Sequence, residues 1–403
     1  MPTKPLVILA HVPSEPVTRG FVPAARRLGF PVVLLTDRLE EQQDLFARMS
    51  SAQAPTAIVA CDVFNPLAVL DALSGLGSRP AAVFSNSDHL QTSTALAANH
   101  HGLAGKDWHV TLRAKNKAQM RAYREEQGLE RVWHRAVSRA EELPAVVAAL
   151  KLPCVVKPSQ GVASEDVQLA RSAGEVTDAC HAIWRSRPGQ TVLLEEFLEG
   201  PLVTLETLGD GEQMVILGGF RTSLSAPPAF VEREAWWGTQ LPPEQEESMA
   251  ATLRAMGVQF GSCHAEFILT AQGPRLVEVN YRSVGDSREF LLDEALELRL
   301  FERILQLHLG APLELSRPAP VAAGIRYLCA EQSGTIKQVP PAFRRREGEA
   351  TFIFTPSRPV GSVVRLSGSN RDYLGSLRGF GGSEEQLRAA FDRAQPELRW
   401  ELR

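Results

Sequence analysis

The stretch HAEFILTAQGPRLVEVNYR, residues 264–282, decides the fold. In a β-strand, residues two apart share a face. By that parity Cys263, Ala265, Phe267 and Leu269 fall on one side and His264, Glu266 and Ile268 on the other. The second run separates Val277, Val279 and Tyr281 from Glu278, Asn280 and Arg282 in the same way. TAQGP between them has the composition of a hairpin turn, so the two polar faces are expected side by side, presenting Glu266, Glu278 and Asn280 to a common point. Such an all-oxygen donor set suits a hard cation: Mg²⁺ takes a few carboxylates, keeps waters and draws its remaining ligands from substrate phosphates. Arg282 adds positive charge where a phosphoryl group in transfer carries its negative charge. The competing reading is a plain exposed strand face, because alternation is the default of half-buried antiparallel strands.

Working outward, VVKPS places Lys157 at the end of an apolar run and before the small, polar loop SQGVASED, where an amine can meet a phosphate; a surface lysine at a strand terminus is the alternative. Further on, LLEEFLEG reads as a strand ending in two acids and an apolar pair. That composition fits an adenine slot in which backbone groups read the purine edge, Phe197 and Leu198 flank the ring and a carboxylate takes the ribose hydroxyls.

The short β-rich runs at 5–10, 31–36, 56–60 and 80–84 alternate with helical patterns and predict a small open parallel sheet. A basic helix over 112–128, closed by Gly128, leads into a second region of alternating strands and helices. Antiparallel-looking runs follow, then a helical pair over 287–309, the Pro-rich hinge APLELSRPAP and a last segment of short strands with the helix SEEQLRAAFDRAQ. A chain of 403 residues has room for two to four units. Hydrophobic residues at 44% and charged residues at 22% are those of an ordinary globular protein. The net charge of −4 gives no electrostatic reason to bind nucleic acid. Five dispersed cysteines, none in a C-x-x-C pair, argue against a disulfide framework or a zinc knuckle and favour a reducing cytoplasm. The apolar run near the N-terminus is too short for a signal h-region, and no stretch approaches the roughly 18 residues of a membrane span.

Lys117 in NKAQMR, Lys157 in VVKPSQGVAS, EEFLEGPLVTLE, HAEF and EVNYR occur in the order and spacing of the ATP-grasp superfamily, which most of the chain resembles. Within it the sequence is most similar to carboxylate-amine ligases, including L-amino-acid ligases and relatives in siderophore and peptide-antibiotic pathways. The resemblance implies an α/β and α+β fold with four parts: an N-terminal open parallel-sheet domain (1–112), a small subdomain with the phosphate-covering loop (113–198), a large subdomain with the metal site (199–316) and a C-terminal lid segment (317–403). It implies that Lys117 and Lys157 hold the ATP phosphates, that Ser164 covers them, and that Glu195, Glu196, Phe197 and Leu198 line the adenine slot with Glu206 beside the nucleotide. Glu266, Glu278 and Asn280 would hold two Mg²⁺, for which Mn²⁺ can substitute. Arg282 would stabilise an acyl phosphate. Gly285 and Asp286 would lie where the incoming amine is positioned, and Glu232, His264, Trp236 and Trp237 toward substrate, with structural roles the alternative for His264 and the tryptophans.

Two departures stand out. SQGVASED has a single glycine, and Glu165 and Asp166 stand where a small residue would suit phosphate better, so repulsion is expected to slow loop closure. Leu202 replaces the acid that often follows GP. Rival motifs fail: GLAGKDW lacks the upstream glycine and the Ser/Thr of a P-loop, and no G-x-G-x-x-G opens the first helix. The expected activity is ligation of a small-molecule carboxylate to an amine with release of ADP and phosphate, set against a non-catalytic nucleotide-binding scaffold and against a carboxylase or kinase-like transfer, for which no biotin-attachment segment is present. Related enzymes are often dimers, so a homodimer is the oligomeric expectation, with no seam in the sequence to define it.

Overall fold

The computed structural model describes residues 4–130, 132–238 and 241–403; residues 1–3 of the N-terminal stretch read above lie outside it. Strands Leu6–Leu9, Val32–Thr36, Ala57–Ala60 and Ala82–Phe84 form the expected parallel sheet. Leu6–Leu9 is central and fully buried, which is why it reads as an unbroken apolar run rather than an alternating one. In such a sheet ligands gather beyond the carboxyl ends of the strands, and the segment after Phe84 carries Asn86, Asp88 and His89 there.

The basic helix expected over 112–128 is two helices, Trp108–Lys115 and Lys117–Glu126. Asn116 breaks them: its backbone is extended (φ −100, ψ 102), and its side chain accepts from the amides of Ala118 and Gln119, both at 3.1 Å. Asn is among the best N-caps, which helix propensity alone does not reveal. The break puts Lys117 at the first position of a new helix, with its amide donating to Ser159 O at 2.9 Å.

The next unit is a four-stranded antiparallel sheet in the spatial order His134–Val137, Val192–Glu196, Cys154–Pro158, Gln168–Ala170, covered by helix Ala173–Ser186. Between His134–Val137 and Cys154–Pro158 the chain makes one 3-10 turn, Ala140–Glu142, followed by the short helix Leu143–Val147.

Beside a three-stranded sheet in the order Val363–Val364, Gly334–Gln338, Glu401–Leu402, a ten-stranded sheet then carries most of the rest. Its path runs Gly273–Asn280, Phe260–Thr270, Leu202–Asp210, Phe220–Leu224, Glu232–Trp237, Ala323–Cys329, Tyr373–Phe380, Ala350–Pro356, Phe343–Glu347, with Met214–Gly218 paired on Leu202–Asp210. The chain after the Pro-rich hinge therefore rejoins the same sheet, through the antiparallel pairing of Ala235 with Ile325. Gly200, at φ 150, lets the chain enter the strand Leu202–Asp210: a Cβ there would sit 2.1 Å from Leu269 O. Helices Arg288–Ala295 and Leu300–His308 pack this sheet against the first domain, and Phe301 meets Phe21 edge to face at 5.0 Å.

Candidate active site

The hairpin expected from residues 264–282 is present, with Thr270 opposite Gly273 at the turn. His264 lies opposite Asn280 and Glu266 opposite Glu278, and a bulge follows Glu266. A third strand extends both rows, because Glu206 pairs with His264 and Thr204 with Glu266. Buried Ala265, Phe267, Val279 and Tyr281 face the core on the other side, as parity predicts, but the bulge shifts the phase and Leu276, not Val277, is buried beyond it.

Two carboxylates directly opposite on neighbouring strands repel unless a cation lies between or beside them. Here Lys117 Nζ contacts Glu278 Oε1 at 2.8 Å and donates to Gly161 O at 3.2 Å, so it spans from the small subdomain to the metal-side strand. Burial works against its charge, but Glu278 outweighs burial and holds its pKa above the ordinary lysine value. On the other flank His264 Nδ1 meets Glu206 Oε1 at 2.7 Å, and Nε2 lies 3.4 Å from Glu266 Oε1. Burial opposes that charge too, yet Glu206 raises the imidazole pKa to about 9. His264, expected toward substrate, thus orients Glu266, and Glu206, expected beside the nucleotide, serves as the partner of His264 and of Thr204 Oγ1 at 2.8 Å.

No group of three or more His, Cys, Asp or Glu side chains among the described residues forms a metal cage. Two carboxylates and the Asn280 amide would instead suit an ion that takes its other ligands from water and phosphate, and the chemistry of this set fits Mg²⁺. Arg282 follows directly, with Nη1 donating to Ser283 O at 2.7 Å and Nη2 3.4 Å from Asn280 Oδ1. Gly285 lies beside that guanidinium, and a Cβ there would make ordinary contact with Nη1 at 3.5 Å. Asp286 is exposed with a left-handed backbone (φ 57), and its carbonyl accepts from Tyr327 Oη at 3.1 Å.

Lys157 ends the strand Cys154–Pro158 as expected, and is buried. Its ammonium contacts Glu195 Oε2 at 2.5 Å, while Arg121 Nε donates to Glu195 Oε1 at 2.6 Å. Glu195 is a buried counter-ion between these two cations. Burial pushes its pKa up, but Arg121 and Lys157 pull it down to about 2. Glu196 Oε1 accepts from the amide of Trp133 at 3.0 Å, and Phe197 and Leu198 are half-buried beyond it.

The loop after Lys157 turns through three non-glycine residues in left-handed conformation, Ala163, Ser164 and Asp166. Each costs about 1–3 kcal/mol unless the surroundings hold it. The acids thought to repel phosphate are engaged elsewhere: Glu165 with Arg187 and Arg371, both at 2.7 Å, and Asp166 with Arg187 at 2.8 Å.

Buried Glu232, expected toward substrate, faces Arg288 Nη2 at 3.0 Å, with Tyr327 and Tyr373 stacked nearby at 4.2 Å. The buried Tyr373 Oη and Arg288 Nε have no partner among the described residues. Trp236 and Trp237 take the packing alternative: one lies under Arg388 and beside Phe391, the other against Phe220. Sequence reasoning did not single out Arg121, Arg288, Arg371 or Asp88, which contacts Lys115 at 2.5 Å. Only Asp88 carried a signal, its place just past the carboxyl end of a parallel strand.

Buried Glu289, with neither carboxylate oxygen partnered among the described residues, supplies a pH test. Burial pushes its pKa up to about 8 from an ordinary value of 4.5. Between those values the unfolded chain has lost a proton that the folded chain keeps, so stability falls as pH rises through this window and levels off above it. Glu289→Gln removes that slope. The Tm of the variant relative to wild type is expected to rise between pH 5 and pH 8; a difference independent of pH contradicts the assignment.

Comparison with known proteins agrees with this geometry. Residues 150–289 match the ATP-grasp domain. The chain is 27% identical over 401 residues to the uncharacterized protein y4rH of Sinorhizobium fredii, covering 95% of this chain and 80% of that protein. It is 27% identical over 329 residues to a phosphoribosylamine–glycine ligase of Phenylobacterium zucineum, covering 69% and 70%. Its fold superposes on the L-amino acid ligase of Bacillus licheniformis with a TM-score of 0.78 at 20% identity, covering 100% of this chain and 99% of that one. The matched span takes in the strand of Lys157, the loop after it and the acidic hairpin, so the chain carries an ATP-grasp domain within a fold shared with that ligase.

Proposed function

We propose that the protein is an ATP-dependent carboxylate-amine ligase that makes an amide through an acyl phosphate, releasing ADP and phosphate, in the biosynthesis of a small peptide-like or siderophore-type metabolite. The observation that carries this reading is the facing of Glu266 on Glu278 and of His264 on Asn280, with Lys117 reaching Glu278 from the opposite subdomain. Glu266, Glu278 and Asn280 would hold Mg²⁺, one ion or two, which when bound offsets the charge of the triphosphate. Lys117 and Lys157 position the phosphates, and positioning alone accounts for several kcal/mol of barrier (about 7–11 at best). A substrate carboxylate oxygen attacks the γ-phosphorus, ADP leaves, and Arg282 lies where the acyl phosphate develops charge. The amine nitrogen then attacks the acyl carbon, the phosphate oxygen bond to that carbon breaks, and the nitrogen gives up its proton. The loop at 159–166 excludes water that would otherwise hydrolyse the intermediate. Glu232 and Arg288 offer a buried acid and base for the polar ends of the carboxylate substrate.

A non-catalytic scaffold is the reading favoured by a loop with one glycine, yet that loop makes its left-handed turns at Ala163, Ser164 and Asp166 without further glycines, and its acids pair with Arg187 and Arg371. The test is a phosphate-release screen over paired carboxylates and amines. Release that needs both partners and matches amide formed is the expected result; nucleotide binding with no release for any pair contradicts it.

A further inference from the structure

A loop with one glycine has to be held in a left-handed course by something outside it, because free L-residues leave that region. Arg187 supplies one hold from the same subdomain, at the end of the helix Ala173–Ser186. The second comes from far along the chain. Arg371 Nε donates to Glu165 Oε1 at 2.7 Å, and the neighbouring Asn370 amide donates to Ala163 O at 3.0 Å. The same asparagine turns its side chain the other way, where Oδ1 accepts from the Glu232 amide at 3.0 Å and Nδ2 lies 3.4 Å from Glu232 Oε1.

The turn is itself braced. Asp372 accepts from the amides of Ser367 at 2.9 Å and Gly368 at 2.8 Å, and its carbonyl accepts from the Ala330 amide at 2.8 Å, on the edge of the large sheet. One rigid turn therefore grips the phosphate-covering loop with one residue pair and the buried acid of the substrate end with a shared one. The Glu165 carboxyl is pushed up by burial, but the bonds from Arg371 and Arg187 hold it below the ordinary range. Arg371 has 59% of its side chain exposed, and an ion pair that wet is weak enough to open and reform.

We propose that Asn370 and Arg371 are positioning residues that set the phosphate-covering loop and couple it to the pocket around Glu232, so that the loop seats fully over the phosphates when a carboxylate substrate engages that pocket. The acids that replace glycines in this loop are then its fastening points. The kinetic consequence rests on the ligase reading; the structural tie does not.

Two readouts on full-length Arg371→Ala separate them. In the protein without ligand, hydrogen exchange at residues 159–167 is expected to speed up by about two- to fivefold, the weight of an exposed ion pair, since local opening is governed by such ties. In turnover, phosphate is expected to exceed amide, because a loose loop admits water to the acyl phosphate, and the KM for ATP rises more than kcat falls. Arg371→Lys should restore part of both. Unchanged exchange overturns the tie, and faster exchange with phosphate and amide still equal overturns the coupling to chemistry, as does a simple loss of folded protein that lowers both products together. If no substrate pair turns over in the wild type, the ligase reading fails while exchange still decides the tie.

Discussion

Arg282→Ala is expected to lower amide formation about 100- to 1000-fold, the range found when one preorganised donor is removed from a developing anion. The guanidinium is positioned by Ser283 O at one nitrogen and, at the other, by Asn280 Oδ1 of the proposed metal set. None of these is a buried ion pair, so removal leaves no unpaired buried charge, and the variant should fold with a Tm close to wild type. The loss should fall on kcat more than on the KM for ATP, because an interaction that strengthens as charge develops is absent from the ground state. Arg282→Lys keeps the charge but loses the planar fork and is expected to recover only part of the rate. Steady-state kinetics on the purified variants check this; unaltered turnover in Arg282→Ala would remove the arginine from the site.

Glu195→Ala is expected to act the other way round, on the fold first. Its carboxylate lies between Arg121 and Lys157 in a buried setting, and removing it leaves two cations facing each other without their shared counter-ion. Breaking a buried pair from one side costs about 3–5 kcal/mol. Lys157 adds a functional effect: burial already lowers its pKa, Glu195 being what counters this, so without that acid the amine loses its proton more readily and grips phosphate less well. Chemical denaturation should show the stability loss, and nucleotide binding should weaken more at pH 8.5 than at pH 6.5. Because the pKa of Glu195 is drawn down to about 2, this stabilisation is complete above the unfolded value near 4.5, declines progressively as pH falls below it and is gone below about 2. Wild-type stability at pH 7 in the Glu195→Ala variant would show that the triad does not hold the strand.

The acidic hairpin was legible in the sequence because a period of two and a turn of small residues fix both face and register over a short span. The parallel sheet was legible for a similar reason, its buried strands being short apolar runs bounded by helices. What escaped were pairings across long separations. Glu195 looked like a pocket residue because the strand that carries it says nothing of Arg121, 74 positions away. The loop acids looked repulsive because Arg371 lies 206 positions from Glu165. His264 was known to share a face with Glu266, but its clamp from Glu206 depends on a third strand that no local pattern announces. Asn116 is a different case: its capping power was visible, but a run rich in Lys, Arg and Gln reads as one helix until the geometry that turns Lys117 inward is known.

Calorimetric titration with ATP in the presence and absence of Mg²⁺, on wild type and on Glu278→Ala, addresses the site most directly. Binding that depends on Mg²⁺ in the wild type and loses that dependence in the variant is the result these two facing carboxylates require. Nucleotide uptake indifferent to Mg²⁺ in the wild type, or equally dependent on it in both proteins, would contradict a cation held at Glu266, Glu278 and Asn280.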